Sequence, residues 1–155
     1  METKGSPKDP GISDITGKAV KVRHAIESDM AFIEAELKKN GIDTANLDNG
    51  EFVVATENGN MTGFGRLRKT GKFYQIGCVV VVEKKRGRGI GALIIKHLLD
   101  FAQVDMVYVL TDLVDYFRRL GFVEMKEGSK ELFDALDEEC RIKGKPNTVI
   151  MMHEK

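Results

Sequence analysis

The sequence predicts an α+β fold, a mixed central β-sheet flanked by helices, in which an antiparallel meander precedes a β-α-β unit. Three observations carry this. Asn58-Gly59 and Thr70-Gly71-Lys72 separate three consecutive apolar runs, which makes two hairpins in succession. From Cys78 to Ala102 the chain passes from a run of valines, through a basic turn rich in glycine, into residues of helical spacing. The short apolar stretch Met106–Leu110 then follows a helix, so it is expected to pair in parallel with the strand before that helix, through a right-handed crossover.

Composition sets the bounds. A chain of 155 residues suits one domain, its 42% hydrophobic content supplies a core, and 31% charged residues make an ordinary soluble surface. Lys plus Arg and Asp plus Glu balance at 24 each, so no overall field draws nucleic acid or an anionic membrane, and any anion site must be local. Cys78 and Cys140 match neither a metal-ligand spacing nor a disulfide framework. They read as reduced thiols in a cytoplasmic protein, with no metal expected. The apolar runs are too short to span a bilayer, and METKGSPKDPGISD lacks the apolar core of a signal peptide.

Residues 1–16 mix Gly, Pro, Ser and Lys without periodicity and read as a flexible tail before a single domain, 17–155. Lys18–His24 alternates apolar and polar residues as a half-buried strand does. Ser28 or Asp29 can cap a helix through Asn40, with Met30, Phe32, Ile33 and Leu37 on one face and Gly41 as its stop. Glu51–Thr56, Met61–Lys69 and Phe73–Val82 form the meander. Gly63 and Gly65 in its middle strand mark a bulge or a close backbone approach. The next helix, Gly89–Gln103, places Leu93, Ile94, His97, Leu98 and Phe101 on its buried face, His97 as a satisfied core histidine. After Met106–Leu110, Thr111 or Asp112 caps a short helix, Leu113–Leu120, which Gly121 stops. Phe122–Lys126 is a strand, and Ser129–Cys140 a helix with Leu132, Phe133 and Leu136 inward. Following the turn Lys143–Pro146, Thr148–His153 is the last strand.

The glycine turn carries the chemistry. A strand that runs through glycines into a helix start presents unpaired N–H groups and the positive end of a dipole to an anion. A P-loop needs Gly-Lys-Ser/Thr at its end, whereas Ile90-Gly91-Ala92 stands there. A nicotinamide-dinucleotide fingerprint fits at Gly87, Gly89 and Ala92, with Asp112 roughly 20 residues on. Against it, Glu83–Arg86 intervene between strand and glycines, and a meander precedes the unit.

Arg86-Gly87-Arg88-Gly89-Ile90-Gly91 reads R-x-x-G-x-G after an apolar strand and before a helix. It resembles the coenzyme A signature of the GCN5-related N-acetyltransferase (GNAT) family. The order of elements resembles that family's over essentially the whole chain after the tail, including Leu120-Gly121-Phe122 at the expected distance. The resemblance implies the GNAT fold and acetyl-CoA as cofactor. It places the pyrophosphate on Arg86, Gly87, Arg88, Gly89, Ile90, Gly91 and Ala92, with the 3′-phosphate on one of Lys84, Lys85, Arg86 and Arg88. A solvated turn is the structural alternative for that basic cluster. The pantetheine arm would run along Val79, Val80, Val81 and Val82, with the N–H of Val79 or Val80 polarising the acetyl carbonyl and stabilising the oxyanion.

Proton carriers are less marked. The tyrosine of many family members is Phe117 here, which leaves Phe117 as a cofactor contact. Its neighbour Tyr116 lies about 100° around the helix. Tyr108 and Cys78 are the candidate catalytic side chains, each with a packing role as its structural alternative. Glu34, Glu36 or a water relay could act as base. A carboxylate often present before the signature is absent at Gly77-Cys78.

Val107–Phe122 further resembles the acetyltransferase domain of bacterial N-acetylglutamate synthase and its small relatives, including the arsenic-resistance acetyltransferases. That branch implies an amino acid or analogue as acceptor amine. Arg66, Arg68 and Thr111 are the candidate substrate-binding residues, with Lys72, Arg23 and His24 as further cations for a carboxylate. A homodimer through late strands such as Val149–Met152 is one arrangement; burial within one subunit explains their apolarity equally well. Protein lysine is a further candidate acceptor. The missing tyrosine and carboxylate keep a second class open, a non-catalytic acyl-CoA-binding or sensing domain.

Overall fold

A computed structural model describes residues 20–125, 130–139 and 148–155. The expected tail 1–16, Lys126, Cys140, the turn Lys143–Pro146 and the side chains of Phe133 and Leu136 lie outside the described residues. The elements are β1 (Lys21–His24), α1 (Met30–Lys39), β2 (Phe52–Glu57), β3 (Asn60–Thr70), β4 (Phe73–Val81), α2 (Ile90–Phe101), β5 (Met106–Thr111), α3 (Val114–Arg119), β6 (Val123–Glu124), α4 (Lys130–Glu139) and β7 (Val149–Glu154). Their strands form one mixed sheet in the order β1-β2-β3-β4-β5-β7-β6. The α+β prediction holds, meander first and β-α-β second.

The chain divides into two compact units, the described residues to Arg66 with Cys78–Leu98, and Leu67–Gly77 with Leu99–Lys155. In the first unit, β1 and β3 both pair antiparallel with β2. Asn58 and Gly59 turn the β2–β3 hairpin with φ of +54° and +80°, as an Asn-Gly turn requires. Ile33 and Leu37 of α1 bury against Phe52, Val54, Phe64 and Val80. Each such side chain contributes about 1.5–3 kcal/mol by leaving water. The glycines of β3 are close approaches. A Cβ at Gly65 would come within 2.7 Å of Ile94 Cγ2, and one at Gly63 within 2.8 Å of the Val80 carbonyl oxygen. A ladder irregularity does sit opposite them, between Ala55 and Thr56.

Asp29 occupies the N-cap position of α1 without capping it. Its carboxylate turns back to accept from the Ile26 N–H at 2.8 Å and from Arg23. Gly41, with φ +71°, ends the helix as expected.

In the second unit, β4 pairs in parallel with β5, as the intervening helix predicts. The last strand does not extend the sheet at its edge. Instead β7 inserts between β5 and β6, antiparallel to both. Ile150 and Met151 are buried there, so packing inside one chain accounts for the apolar residues of Val149–Met152. Leu132 of α4 and Ile150 form a cluster with Phe73, Tyr108, Leu110 and Met125. The predicted cap of α3 is corrected: Leu113 stands at the N-cap, and the hydroxyl of Thr111, two residues earlier, accepts from its N–H at 2.9 Å. Among the described residues, the strand expected over Phe122–Lys126 is confined to Val123–Glu124.

Candidate active site

The anion-binding residues expected from the sequence all fall in the first unit. β4 ends at Val81, one residue earlier than predicted, because Val82 heads a short 3-10 turn, Glu83–Lys85. Gly87 and Gly89 follow with φ of +83° and +82°, a left-handed path that only glycine takes cheaply. A Cβ at either would meet nothing within 4 Å, so the requirement is backbone conformation and not crowding. The first bond of the α2 ladder runs from the Leu93 N–H to the Gly89 carbonyl, at 3.1 Å. The N–H groups of Ile90, Gly91 and Ala92 therefore precede the ladder, at the positive end of the helix dipole. This amide array fits a phosphate.

The basic side chains of the turn are organised. Arg86 folds back so that Nε donates to the Val81 carbonyl at 2.8 Å, while its guanidinium reaches Asn40 Oδ1 at 3.4 Å. Arg88 donates to both carboxylate oxygens of Glu57, at 3.2 and 2.8 Å, and Lys85 joins at 3.1 Å. Glu57 is only 6% exposed. Lys84 is exposed. Glu57 escaped the sequence reading. Its one signal is a carboxylate beside an Asn-Gly turn in a chain with a Lys-Lys-Arg-x-Arg run, and only tertiary structure joins the two.

Before the turn, the parallel register pairs Gln75 with Tyr108 and Ile76 with Val109. Cys78 then adopts φ +53°, left-handed for a residue with a side chain, at a cost of about 1 kcal/mol or more. Nothing in the sequence announces this. Cys78 is in no disulfide and is half-buried, packed against the Ile33–Phe64 cluster as the structural alternative expects. Val80 is buried, whereas Val79, Val81 and Val82 are half-buried.

The other candidates differ in their surroundings. Arg66 is 5% exposed, its guanidinium bonded to Glu51 Oε1 at 2.9 and 2.7 Å and to the Asn46 carbonyl at 2.7 Å. It also lies 5.4 Å from the Phe52 ring centre. Arg23 pairs with Asp29, and Glu34 and Glu36 lie beside Lys38 and Lys39.

In the second unit, the Tyr108 ring stands edge-on to Phe73 at 5.8 Å. Phe117 is buried with its ring against Tyr116 and Phe122. Burial pushes the Tyr116 hydroxyl above its usual range, with Arg119 pulling the other way. Thr111 is buried, Arg68 half-buried, and Lys72 is 3.2 Å from Glu131. His97 is half-buried, and the His153 ring lies tilted against Phe122, 5.3 Å between ring centres. Among the described residues no cluster of His, Cys, Asp and Glu could hold a metal ion. No helix among them is long and apolar enough to cross a membrane.

The sheet is mixed, and a glycine turn that leads into helix-start amides stands between its fourth strand and the next helix. Residues 48–124 match the family described as Acetyltransferase (GNAT) domain, and the chain belongs to that family. The membership removes the dinucleotide reading of Gly87, Gly89 and Ala92. Among solved structures, Rv2747 from Mycobacterium tuberculosis, in complex with CoA and NLQ, shares 27% identity at a TM-score of 0.71, covering 87% of this chain and 99% of its own. N-acetylglutamate synthase from Neisseria gonorrhoeae, complexed with coenzyme A and N-acetyl-glutamate, is 22% identical with a TM-score of 0.69. That match covers 87% of this chain, which spans only 35% of the synthase. Escherichia coli ElaA, at 15% identity and TM-score 0.62, covers 88% of this chain and 99% of its own. No curated protein matches the chain in sequence.

Proposed function

We propose that the protein is an acetyl-CoA-dependent N-acetyltransferase that moves the acetyl group to the primary amine of a small molecule, an amino acid or an analogue, within a ternary complex. The observation that carries this reading is the left-handed path of Gly87 and Gly89 into the α2 N-terminus. It leaves the amides of Ile90, Gly91 and Ala92 outside the helix ladder and turned to account for an anion. The likeness to CoA-bound Rv2747 and to the synthase supports both the cofactor and the choice of acceptor.

Acetyl-CoA would supply a thioester carbonyl already activated for attack. Arg86–Ala92 would hold the pyrophosphate, and Val79–Val82 the pantetheine arm. The left-handed backbone at Cys78 interrupts the regular extended geometry of β4 just before Val79, which suits Val79 or Val80 to direct an N–H at the thioester oxygen. In the reaction the acceptor nitrogen forms a bond to the carbonyl carbon, the carbon–sulfur bond breaks, and the thiolate leaves with the electron pair. An ammonium acceptor first loses a proton to Glu34, Glu36 or water. The sulfur gains one from Tyr108 or water, and with a thiol pKa of only about 8.5 it needs little help. Arg68, half-buried on β3, and Thr111, buried at the end of β5, are our choices for contacts to the acceptor.

The test compares melting temperatures with acetyl-CoA and with NAD(H), followed by a thiol-release assay over an amine panel that begins with amino acids. Stabilisation by acetyl-CoA with turnover of an amino acid is the expected result. Acetyl-CoA binding without turnover of any amine would favour a sensing domain, which the absence of a hydroxyl at Phe117 motivates. Stabilisation by NAD(H) alone would overturn the reading.

A further inference from the structure

We infer that Glu57 is a positioning residue for the cofactor turn: it fastens Arg88 and Lys85 to the β2–β3 hairpin and so holds the amides of Arg86–Gly91 ready for phosphate. This rests on the coenzyme A reading above.

Four basic residues within five positions, Lys84, Lys85, Arg86 and Arg88, repel one another, and the two glycines among and after them leave the backbone loose. Such a turn would spread into solvent unless something tied it. The hairpin is the tie. Glu57 is the last residue of β2, paired with Asn60 across the turn, so its backbone is held by the ladder. Its carboxylate is nearly buried and accepts from Arg88 Nη1 at 3.2 Å, Arg88 Nη2 at 2.8 Å and Lys85 Nζ at 3.1 Å. The two-oxygen grip on Arg88 fixes a plane as well as a distance. A backbone bond from the Val82 N–H to the Thr62 carbonyl, 2.9 Å long, ties the same hairpin to the start of the turn. The turn is thus held at Val82, at Lys85 and at Arg88, on both sides of Gly87.

A second role for the same carboxylate predicts the opposite result. If Glu57 mainly neutralised Arg88 and Lys85, its removal would free two cations for phosphate and tighten cofactor binding. If it positions the turn, its removal weakens binding although the local charge becomes more positive. The sign of the change separates them.

The experiment compares the wild type with Glu57→Ala, Glu57→Gln and Glu57→Asp. In the cofactor-free protein, hydrogen exchange at Arg86–Gly91 should rise by about tenfold in Glu57→Ala, while Leu93–Leu98 keep their rates. Calorimetry should show acetyl-CoA binding weakened by about tenfold, and the loss should fall on the KM for acetyl-CoA more than on kcat. Glu57→Asp, which keeps the charge, should recover part of the affinity, and Glu57→Gln less. Unchanged exchange, or acetyl-CoA binding that holds or tightens in Glu57→Ala, overturns the inference. A wild type that fails to bind acetyl-CoA counts against the cofactor reading alone. The exchange rates of the free protein then still decide whether Glu57 holds the turn.

Discussion

Arg23 and Asp29 meet side by side, with Nη1 2.8 Å from Oδ2 and Nη2 3.1 Å from Oδ1, and so clamp the end of β1 to the residue that precedes α1. The Arg23 hydrogen bonds chiefly hold the Asp29 carboxyl below the usual carboxylate range, against the opposing effect of burial and with help from the Ile26 N–H. A carboxyl depressed in the folded state contributes stability above its unfolded pKa of about 3.9 and loses that contribution as pH falls through the folded value. Asp29→Asn should therefore lower stability at pH 7 by about 1 kcal/mol, a modest figure because the Arg23 end is open to solvent. Denaturant titrations should show the difference from wild type shrinking below about pH 4.

Gly63→Ala should destabilise by about 1–3 kcal/mol, because its Cβ would meet the Val80 carbonyl oxygen at 2.8 Å and a backbone atom in a paired strand cannot step aside. Since Val80 belongs to the proposed pantetheine strand, the KM for acetyl-CoA should rise in the same variant. Thermal unfolding and thiol-release kinetics check the two effects separately.

Gly87→Ala and Gly89→Ala face no steric obstacle, only a φ above +80° at each position. Each should cost about 1–2 kcal/mol of the native turn and show mainly as a smaller thermal shift on adding acetyl-CoA. An equal shift in wild type and variants would remove the turn from the cofactor site.

Arg66→Ala should lower stability by about 3 kcal/mol or more, since it strands Glu51 and the Asn46 carbonyl and strips a cation from Phe52. Arg66→Lys should recover little, because an ammonium cannot reproduce the two-nitrogen contact with Glu51. Arg68→Ala should raise the KM for a carboxylate-bearing acceptor more than the KM for acetyl-CoA. The paired measurement separates a structural arginine from a recognising one.

Tyr108→Phe keeps the ring against Phe73 and removes only the hydroxyl. Melting should hold, and kcat in the thiol-release assay should fall by about tenfold or more if the hydroxyl protonates the leaving sulfur. A kcat within about twofold of wild type would assign the proton to water and leave Tyr108 a packing residue.

Local chemistry made much of the fold readable in advance. Asn58-Gly59 specifies its hairpin because both positions need left-handed backbone, and no distant contact is required. The helix between β4 and β5 imposes a parallel pairing for reasons of chain geometry alone. The turn Arg86–Gly91 was legible because its glycines and helix start are contiguous in sequence. Three features were not. β7 could have extended the sheet at its edge, but it inserts between β5 and β6, a choice made by partners far away in the chain. Thr111 and Asp29 have cap chemistry, yet each spends its oxygen on a neighbouring turn. Cys78 takes a left-handed conformation that its residue type resists, so only the surrounding structure can impose it.

By itself the sequence determined an α+β chain with a phosphate-holding turn, because alternation, turn residues and helix periodicity are properties of adjacent residues. Tertiary structure decided which charges serve that turn. Glu57 lies well before the basic run in sequence and meets Arg88 and Lys85 only when the β2–β3 hairpin is in place. Arg66 offers a cation by composition but gives it to Glu51 once β3 pairs with β2. The physical reason is the same in both cases: a charge's partner is set by which backbones the sheet brings together, and charge identity alone does not encode that.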